Sequence, residues 1–401
     1  MSLLLVEEAL ARVLDGASPT AIEAAPLLDA HNRVIAQDVI AKLTQPPFNA
    51  STMDGYAVRT NDLANLPAPL RIVGESHAGC GFVGAVGKGA AVRIFTGAPL
   101  PEAADTVVIQ ENTERQGDTV VIRAASPAGA NIRAMANDFR RGQKLLNAGH
   151  LVNARAITLA AAGGHAQLSV RVRPSVAILA TGDELVQPGT TPGPDQLVTS
   201  NTYGLAALVK HAGGSPQLLG IARDTREALD SKLQAALGTN VLVTIGGASV
   251  GERDLVRAAL EARGMTLNFW KVAIRPGKPM FFGHMAATRV LGLPGNPVSC
   301  LVAARVFLVP LIHRLLGRSD SPLQEVIGVL SHELEANGPR QNYMRARREL
   351  GDAIPPRVSV LRSQDSAHLT GLMAADLLIV RAPNAPALPA GAQVAALTLD
   401  F

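Results

Sequence analysis

The chain has 401 residues, 47% of them hydrophobic, which suffices for real cores and is too long for one ordinary domain, so about two to four domains are expected. Its net charge of +4 comes from basic residues scattered along the chain without interleaved aromatics, which argues against a nucleic-acid groove. Two cysteines, Cys80 and Cys300, are too few and too far apart for a disulfide framework or a thiolate metal site, and both are expected to be ordinary buried thiols.

The N-terminal MSLLLVEEAL carries Glu7 and Glu8 and no basic leader, so it reads as the start of an amphipathic helix rather than a signal peptide. The longest membrane-span candidate, Cys300 to Leu311, is interrupted by Arg305 and Pro310. A soluble, cytoplasmic protein is expected, with neither membrane nor nucleic acid as a partner.

Residues 1 to about 45 give a helix and a strand-like VIAQDVIA, ending at the stiff pair Pro46-Pro47. The next stretch, PPFNASTMDGYAV, is a polar loop with two apolar anchors, Phe48 and Tyr56, and on composition alone reads more readily as a connector than as a site. From about 58 to 130, short β runs alternate with Gly and Pro, as in LRIVGES, AAVRIFTG and DTVVIRAA, which predicts a small β domain. Inside it GCGFVG, Gly79 to Gly84, fits a dinucleotide fingerprint by letter, but strand-like residues follow where a helix should begin, so it reads as a β turn. GKG at Gly87 to Gly89 fails as a phosphate loop, because Phe82 stands where the leading Gly belongs and no Ser or Thr follows Lys88.

Residues 131 to 174 return to mixed character, including the Ala-rich helix NARAITLAAAGG closed by Gly163-Gly164. If this helix packs back on the N-terminal one, the domains run as follows: 1–45 with 131–173 a discontinuous, mixed helical domain, and 46–130 a β domain inserted into it. From Pro174 to Gly317 strands alternate with helices of about ten residues or more, which predicts a doubly wound, mainly parallel α/β domain over 174–317. After Gly317 the helices stop, and 318–401 reads as an all-β domain.

In a doubly wound sheet the ligand sits at the carboxyl ends of the strands, where four loops of this chain converge. Gly246-Gly247-Ala248-Ser249 follows the buried run Val241 to Ile245 and precedes a helix, a layout that aims backbone N–H groups and the helix dipole at an anion. Thr181-Gly182-Asp183-Glu184, Arg223-Asp224 and Pro294-Gly295-Asn296-Pro297 are the other three. Grouped acids, Asp183/Glu184, Asp224 and Asp254, are the hard-oxygen set with which a phosphate crevice holds Mg²⁺; alternatively each Asp caps the helix that follows it. On the turn IRPGKP, Arg275 and Lys278 lie three apart, and Ser299 opens the last helix; two cations and a hydroxyl at a helix N-terminus suit a compact oxyanion, and a solvated basic turn is the alternative. Gly247-Ala248-Ser249-Val250-Gly251 also satisfies the nucleophile-elbow motif, with His284, His313 or His368 as possible bases, but no HGGG-like oxyanion loop precedes it and too few parallel strands come first.

Taken together, the motifs resemble those of the molybdopterin molybdenumtransferases, the family of MoeA and the gephyrin E domain. PPFNASTMDGYAV, FTGAPLPEAADTVVIQE, GANIR, LATGDELVQPG, TIGGASVGERD, IRPGKPMFFG and LGLPGNPVS occur in the family's order over nearly the full chain. The resemblance implies a four-part protein with a doubly wound molybdopterin-binding domain, acting as a homodimer. It implies that molybdenum from molybdate is inserted into adenylylated molybdopterin with release of AMP, in a step dependent on Mg²⁺. Thr181, Gly182, Gly246, Gly247, Ser249, Pro294, Gly295 and Asn296 would then hold the pterin nucleotide. Asp224 and Asp254 would carry the metal, with Asp183, Glu184 and Lys278 also catalytic. Arg275, Lys278, Ser299, Arg345 and Ser366 would bind molybdate. Met53, Asp54 and Thr96 would reach the crevice from the partner subunit. The molybdopterin adenylyltransferase and acceptor molybdoenzymes follow as partners.

The chain departs from the family pattern at Asn49 and Ala50, where Asp-Asn is usual, at Ala136-Asn137, where Gly-Glu is common, at Ala248 for Val, and at Arg275 for Lys. Arginine keeps the charge but presents a planar fork instead of a point donor. These departures sustain a second reading, a diverged pterin-binding or delivery protein without turnover; a serine hydrolase on the GASVG elbow is the third.

Overall fold

The computed structural model describes residues 3–247 and 255–399. Helix α1 (Val6–Leu14) buries Val6, Ala9 and Val13, spaced three and four apart, so one stripe of it is apolar. That stripe joins the core of the α/β domain, beside Val309, Ile312 and Leu316. The expected packing of α1 against the Ala-rich helix α2 (Ala154–Ala162) is therefore corrected: α2, capped by Asn153, packs through Ala156 and Ala160 in a separate core with Val39, Leu168 and Val170. The strands around α2 are as important as the helix, since Ile22–Pro26 pairs antiparallel with Gln167–Arg171.

Strands 106–109, 55–58, 90–94, 68–76, 119–122 and 113–116 form, in that spatial order, one six-stranded sheet. Gly55–Val58, at the end of the polar PPFNASTMDGYAV stretch, is buried at all its positions and paired on both sides, so that stretch is half connector and half core strand. The Gly79 to Gly84 segment is a turn, with His77 and Cys80 exchanging backbone hydrogen bonds of 2.9 and 3.0 Å. Cys80 at that turn is exposed, contrary to expectation, while Cys300 is buried.

The third sheet contains β1 (Ser175–Thr181), β2 (Ser215–Ala222), β3 (Val241–Ile245), β4 (Met265–Trp270), β5 (Phe281–Met285) and β6 (Thr288–Leu293), in the order β2-β1-β3-β6-β5-β4. β2, β1, β3 and β6 are parallel, and β5 and β4 close the edge antiparallel. β3 and β6 are buried at every position, as strands covered on both faces must be. Alternation along β1 sends Val176 and Ile178 to one core, shared with helix α3 (Asn201–His211) and residues 298–316, and Ala177 and Leu179 to the other, shared with α4 (Arg226–Gln234) and α5 (Leu255–Ala262).

The last helical run, Pro297–Leu316, consists of α6 (Pro297–Ala303), a π turn over Ala304–Leu308 and α7 (Val309–Leu316). It is apolar and long enough to cross a membrane by composition, but 83% of that window is buried, which makes it the core helix of the sheet. The π turn comes just before Pro310, where a proline ring would press on the carbonyl four residues back in a regular helix. The C-terminal region contributes five strands of a six-stranded sheet in which 341–348 pairs with both 357–360 and 377–381, giving a barrel-like closure. It is not wholly β, because a short helix occupies Leu369–Met373. Residues 274–275 pair parallel with 341–342 and stitch this sheet to the α/β domain.

Candidate active site

The parallel strands β1, β3 and β6 deliver their loops to one end of the sheet. Gly246, just after β3, has φ +89°, and a Cβ there would stand 2.9 Å from the Thr181 carbonyl, so only glycine lets the two loops approach this closely. Thr181 is buried and its Oγ1 donates to the Ile245 carbonyl at 3.3 Å. The next residue, Gly247, would drive a Cβ to 2.4 Å from Val256, a buried anchor of α5. Ser249 and Asp254, like the whole stretch Ala248 to Asp254, lie outside the described residues.

Two cavities open at this end. One, of about 480 Å³, is walled by Thr181, Glu184, Leu197, Asn201, Gly246 and the Gly295–Asn296 turn. The other, of about 560 Å³, is walled by Arg275, Lys278, Ser299, Arg340 and Ser366, again with Pro294, Gly295 and Asn296. Gly295 and Asn296 are thus the shared partition. Both sides hold it: Asn201 Nδ2 donates to the Gly295 carbonyl at 2.7 Å, and Asn296 Nδ2 donates to Ser366 Oγ at 2.8 Å. The Val298 N–H also donates to the Ser366 carbonyl at 3.0 Å, so the C-terminal region is tied directly to the start of α6. Gly182 (φ +147°) turns the chain after β1, and its neighbour Glu184 presents its carboxylate over it.

The second cavity is lined by three cations, Arg275, Lys278 and Arg340, by the hydroxyls of Ser299 and Ser366, and by one carboxylate, Asp365, so it is basic on balance. Among the described residues the side chains of Arg275 and Lys278 have no hydrogen-bond or ion-pair partner, whereas Arg340 reaches across to the Ile274 carbonyl at 3.4 Å. Arg345 stands elsewhere. It is 1% exposed, and its guanidinium donates to the carbonyls of His368 (3.1 Å), Ser363 (3.1 Å) and Asp365 (2.9 Å), holding the 363–368 loop from behind while Ser366 lines the cavity. Arg340, five residues earlier, is the arginine that lines it. Arg340 sits in the bend just before the strand Gln341–Arg348, whereas Arg345 is buried within that strand, so the two guanidinium groups serve different places. Asn201 and Gln364 also went unnoticed in the sequence; nothing but their positions at loop ends marked them.

Of these loops' acids Glu184 walls the first cavity, and Asp183 and Asp224 line neither. Asp183 Oδ1 accepts the Asp224 backbone N–H at 3.2 Å, which sets these two residues side by side, and the Arg223 guanidinium donates to the Asp183 carbonyl at 2.9 Å. Asp224 is not the cap of α4: Thr225 fills that position, its Oγ1 accepting from Ala228 at 3.3 Å. No group of three or more His, Cys, Asp or Glu close enough to hold a metal occurs among the described residues. The contact between Asp183 and Asp224 runs through a backbone N–H, and the two side chains are oxygen donors of the kind Mg²⁺ takes, one or two carboxylates with waters and phosphates completing its shell.

Met53, Asp54 and Thr96 belong to the small β domain and line neither cavity of their own chain. Asp54 Oδ1 accepts from the Thr96 N–H and Oγ1–H, both at 2.8 Å, and these bonds hold its carboxyl below the usual range. Of the histidines available to a nucleophile elbow, His284 is paired in register with Arg289 at the amino ends of the parallel strands, and His313 lies near the far end of α7. His368 donates or accepts at Ser363 Oγ, 2.9 Å away.

Three family models match the chain in succession: the MoeA N-terminal region (domain I and II) over residues 4–164, the probable molybdopterin binding domain over 177–314, and the MoeA C-terminal region (domain IV) over 328–399. A molybdopterin molybdenumtransferase of Nostoc sp. is 36% identical over 388 residues, which cover 94% of this chain and 89% of the relative. One from Haemophilus influenzae is 36% identical over 304 residues, covering 75% of each chain. A crystal structure titled as the molybdopterin biosynthesis moea protein from Pyrococcus horikosii superposes with a TM-score of 0.87 at 30% identity, covering 100% of both chains. With these matches running through every part of the fold just described, the chain belongs to the molybdopterin molybdenumtransferase (MoeA) family.

Proposed function

We propose that this protein inserts molybdenum from molybdate into adenylylated molybdopterin and releases AMP. The observation that carries the reading is the pair of cavities sharing the Gly295–Asn296 partition: a mixed polar and apolar chamber of a size for a pterin, next to a chamber in which three cations and two hydroxyls outweigh one carboxylate, Asp365. In it, Arg275, Lys278 and Arg340 bring positive charge to a tetrahedral dianion, and Ser299 and Ser366 offer hydroxyl donors. Thr181, Gly246, Gly247, Pro294, Gly295 and Asn296 position the pterin nucleotide, with Gly182 and Ser249 on its phosphates. Holding both substrates against one partition gives proximity, and the fixed cations stabilise charge that develops as the phosphoanhydride breaks.

Asp224 and Asp254 are the residues that would hold Mg²⁺, with Asp183 against Asp224 and Glu184 also taking a catalytic part. When bound, Mg²⁺ supplies charge neutralisation at the phosphates of the departing AMP. In a homodimer, Met53, Asp54 and Thr96 of the second subunit complete the crevice, and the Thr96–Asp54 bonds keep that loop's carboxylate ionised and in place. Arg345 acts as a positioning residue, through Ser366, rather than as a molybdate ligand. The molybdopterin adenylyltransferase would supply the substrate, and a molybdoenzyme in the cytoplasm would take the product.

The test is AMP release from adenylylated molybdopterin by the purified dimer, with molybdate and Mg²⁺ each omitted in turn. Release that requires both is expected. Pterin binding without release under any condition would favour a delivery protein, and ester cleavage lost on Ser249→Ala would favour the hydrolase, whose candidate bases His284 and His313 lie at the other end of the sheet.

A further inference from the structure

At the amino ends of the parallel strands, opposite the candidate active site, two further cavities of about 210 and 600 Å³ share His211 and Arg318. The smaller is walled by α3, the π turn, α7 and the connector to the C-terminal region, through His211, Arg305, His313 and Arg318. The larger adds Arg173 and Lys210. Asp320 is the acid among the lining residues of the two cavities, and its carboxylate is taken up by the Nε and Nη2 of Arg318.

The local chain geometry builds this wall. Gly317 ends α7 in the left-handed conformation (φ +62°) and turns Arg318 back over the helix, so that its Nη1 donates to His313 Nε2 at 3.0 Å. That bond fixes His313 as the tautomer protonated on Nδ1. The residue is 8% exposed, and its Nδ1–H finds no acceptor among the described residues. Buried donors are ordinarily satisfied, so this one calls for a partner outside the chain. Arg305 projects from the π turn, a helical irregularity that frequently accompanies a functional site.

We propose that this cleft is a second anion site, taking a compact phosphate-class oxyanion, free or as the end group of a small ester. His313 Nδ1–H, His211, Arg305 and Arg318 surround the oxyanion in the smaller chamber, and Arg173 and Lys210 draw it in through the larger. A bound anion would join α3 and α7 to the 318–324 connector, and through it would steady the C-terminal region, whose loops carry Arg340 and Ser366. The site owes nothing to the identity of the substrate at the other end of the sheet.

The test uses the full-length protein carrying Lys278→Ala and Arg275→Ala, so that the active-site oxyanion chamber cannot report. Inorganic phosphate and glycerol phosphate are titrated calorimetrically at constant ionic strength. At least one is expected to bind saturably in the millimolar range or tighter, and Arg318→Gln is expected to weaken it about tenfold, as loss of a charge-assisted bond does. His211→Gln, on the exposed end of α3, gives a second reading if Arg318→Gln does not fold. Which probe binds more tightly separates a free ion from an ester. Absence of saturable binding for both, or unchanged binding in the variants, overturns the proposal.

Discussion

The helical run Pro297–Leu316 joins two basic clusters that use their charge differently. Its 20 residues span about 30 Å, with Ser299 at one end beside Arg275 and Lys278, and His313 at the other beside Arg305 and Arg318. At the first end Arg275 and Lys278 have no partner within the described protein; at the second Arg318 is paired with Asp320 and His313, and Arg305 donates to the Pro322 carbonyl. Cations left without internal partners repel one another and persist because a ligand or water solvates them, so they stand ready for a strongly charged substrate. Partnered cations mainly hold structure, and an anion there has to share them. Binding at the active-site end should therefore be tighter, and substitutions there should act on function more than on stability.

Replacing Lys278 breaks this contrast most directly. Lys278→Ala is expected to lower molybdate-dependent AMP release by about 10²–10³-fold, the usual cost of losing one fixed donor to developing charge. Affinity for the pterin nucleotide should change less than about threefold, measured by titration of the substrate without molybdate. Equal loss of both would show that the Gly295–Asn296 partition does not separate the two functions.

Arg340 and Arg345 sharpen the same distinction inside one strand region. Arg345→Met removes three hydrogen bonds to carbonyls in a buried setting and is expected to cost about 2–4 kcal/mol of stability, read from denaturant midpoints. Arg340→Ala should leave stability within about 0.5 kcal/mol and weaken molybdate roughly tenfold. The reverse pattern would return Arg345 to the molybdate site.

These two arginines also mark how far the sequence by itself specifies the site. Long signals came through: the alternation of strands and helices after Pro174, the buried run at β3, and the glycine turns that close on Thr181. Short-range choices did not. Whether Asp224 or Thr225 caps α4 depends on a one-residue phase that either residue type satisfies. β5, Phe281–Met285, was hidden inside a motif notable for its Arg and Lys. The partner of α1 could not be read from its apolar stripe, because a stripe specifies burial and not the surface that provides it. Arg345 stood out through its motif, but which arginine faces the cavity is decided by chain direction at 340–345.

Gly246 tests the pterin side of the partition. Gly246→Ala forces a side chain into φ +89° and toward the Thr181 carbonyl, at a cost of about 1–2 kcal/mol. Pterin-nucleotide affinity should fall several-fold while molybdate affinity is retained, the mirror image of Lys278→Ala. A fall in molybdate affinity alone would place the close approach of these loops on the wrong chamber.

The smallest effect belongs to the far end of the helix, in the pH dependence of stability. Burial pushes the His313 pKa down from 6.5 to about 4, aided by Arg318, Arg305 and His211 and opposed by Asp320. Its folded pKa lies below its unfolded one, so on acidification the unfolded state takes up the proton first. Stability from this group is complete well above pH 6.5 and is lost progressively as pH falls toward 4, by roughly 0.7 kcal/mol between pH 7 and pH 6. His313→Gln, which can still offer Arg318 an acceptor, should flatten that part of the stability–pH curve, followed by chemical unfolding at each pH. Phosphate at saturating concentration should alter the same stretch of the curve if it accepts the Nδ1 proton, because a ligand that binds only the folded state adds its own pH-dependent stabilisation. An unchanged slope in His313→Gln would assign the titration to other groups and leave Arg318 with a structural role only.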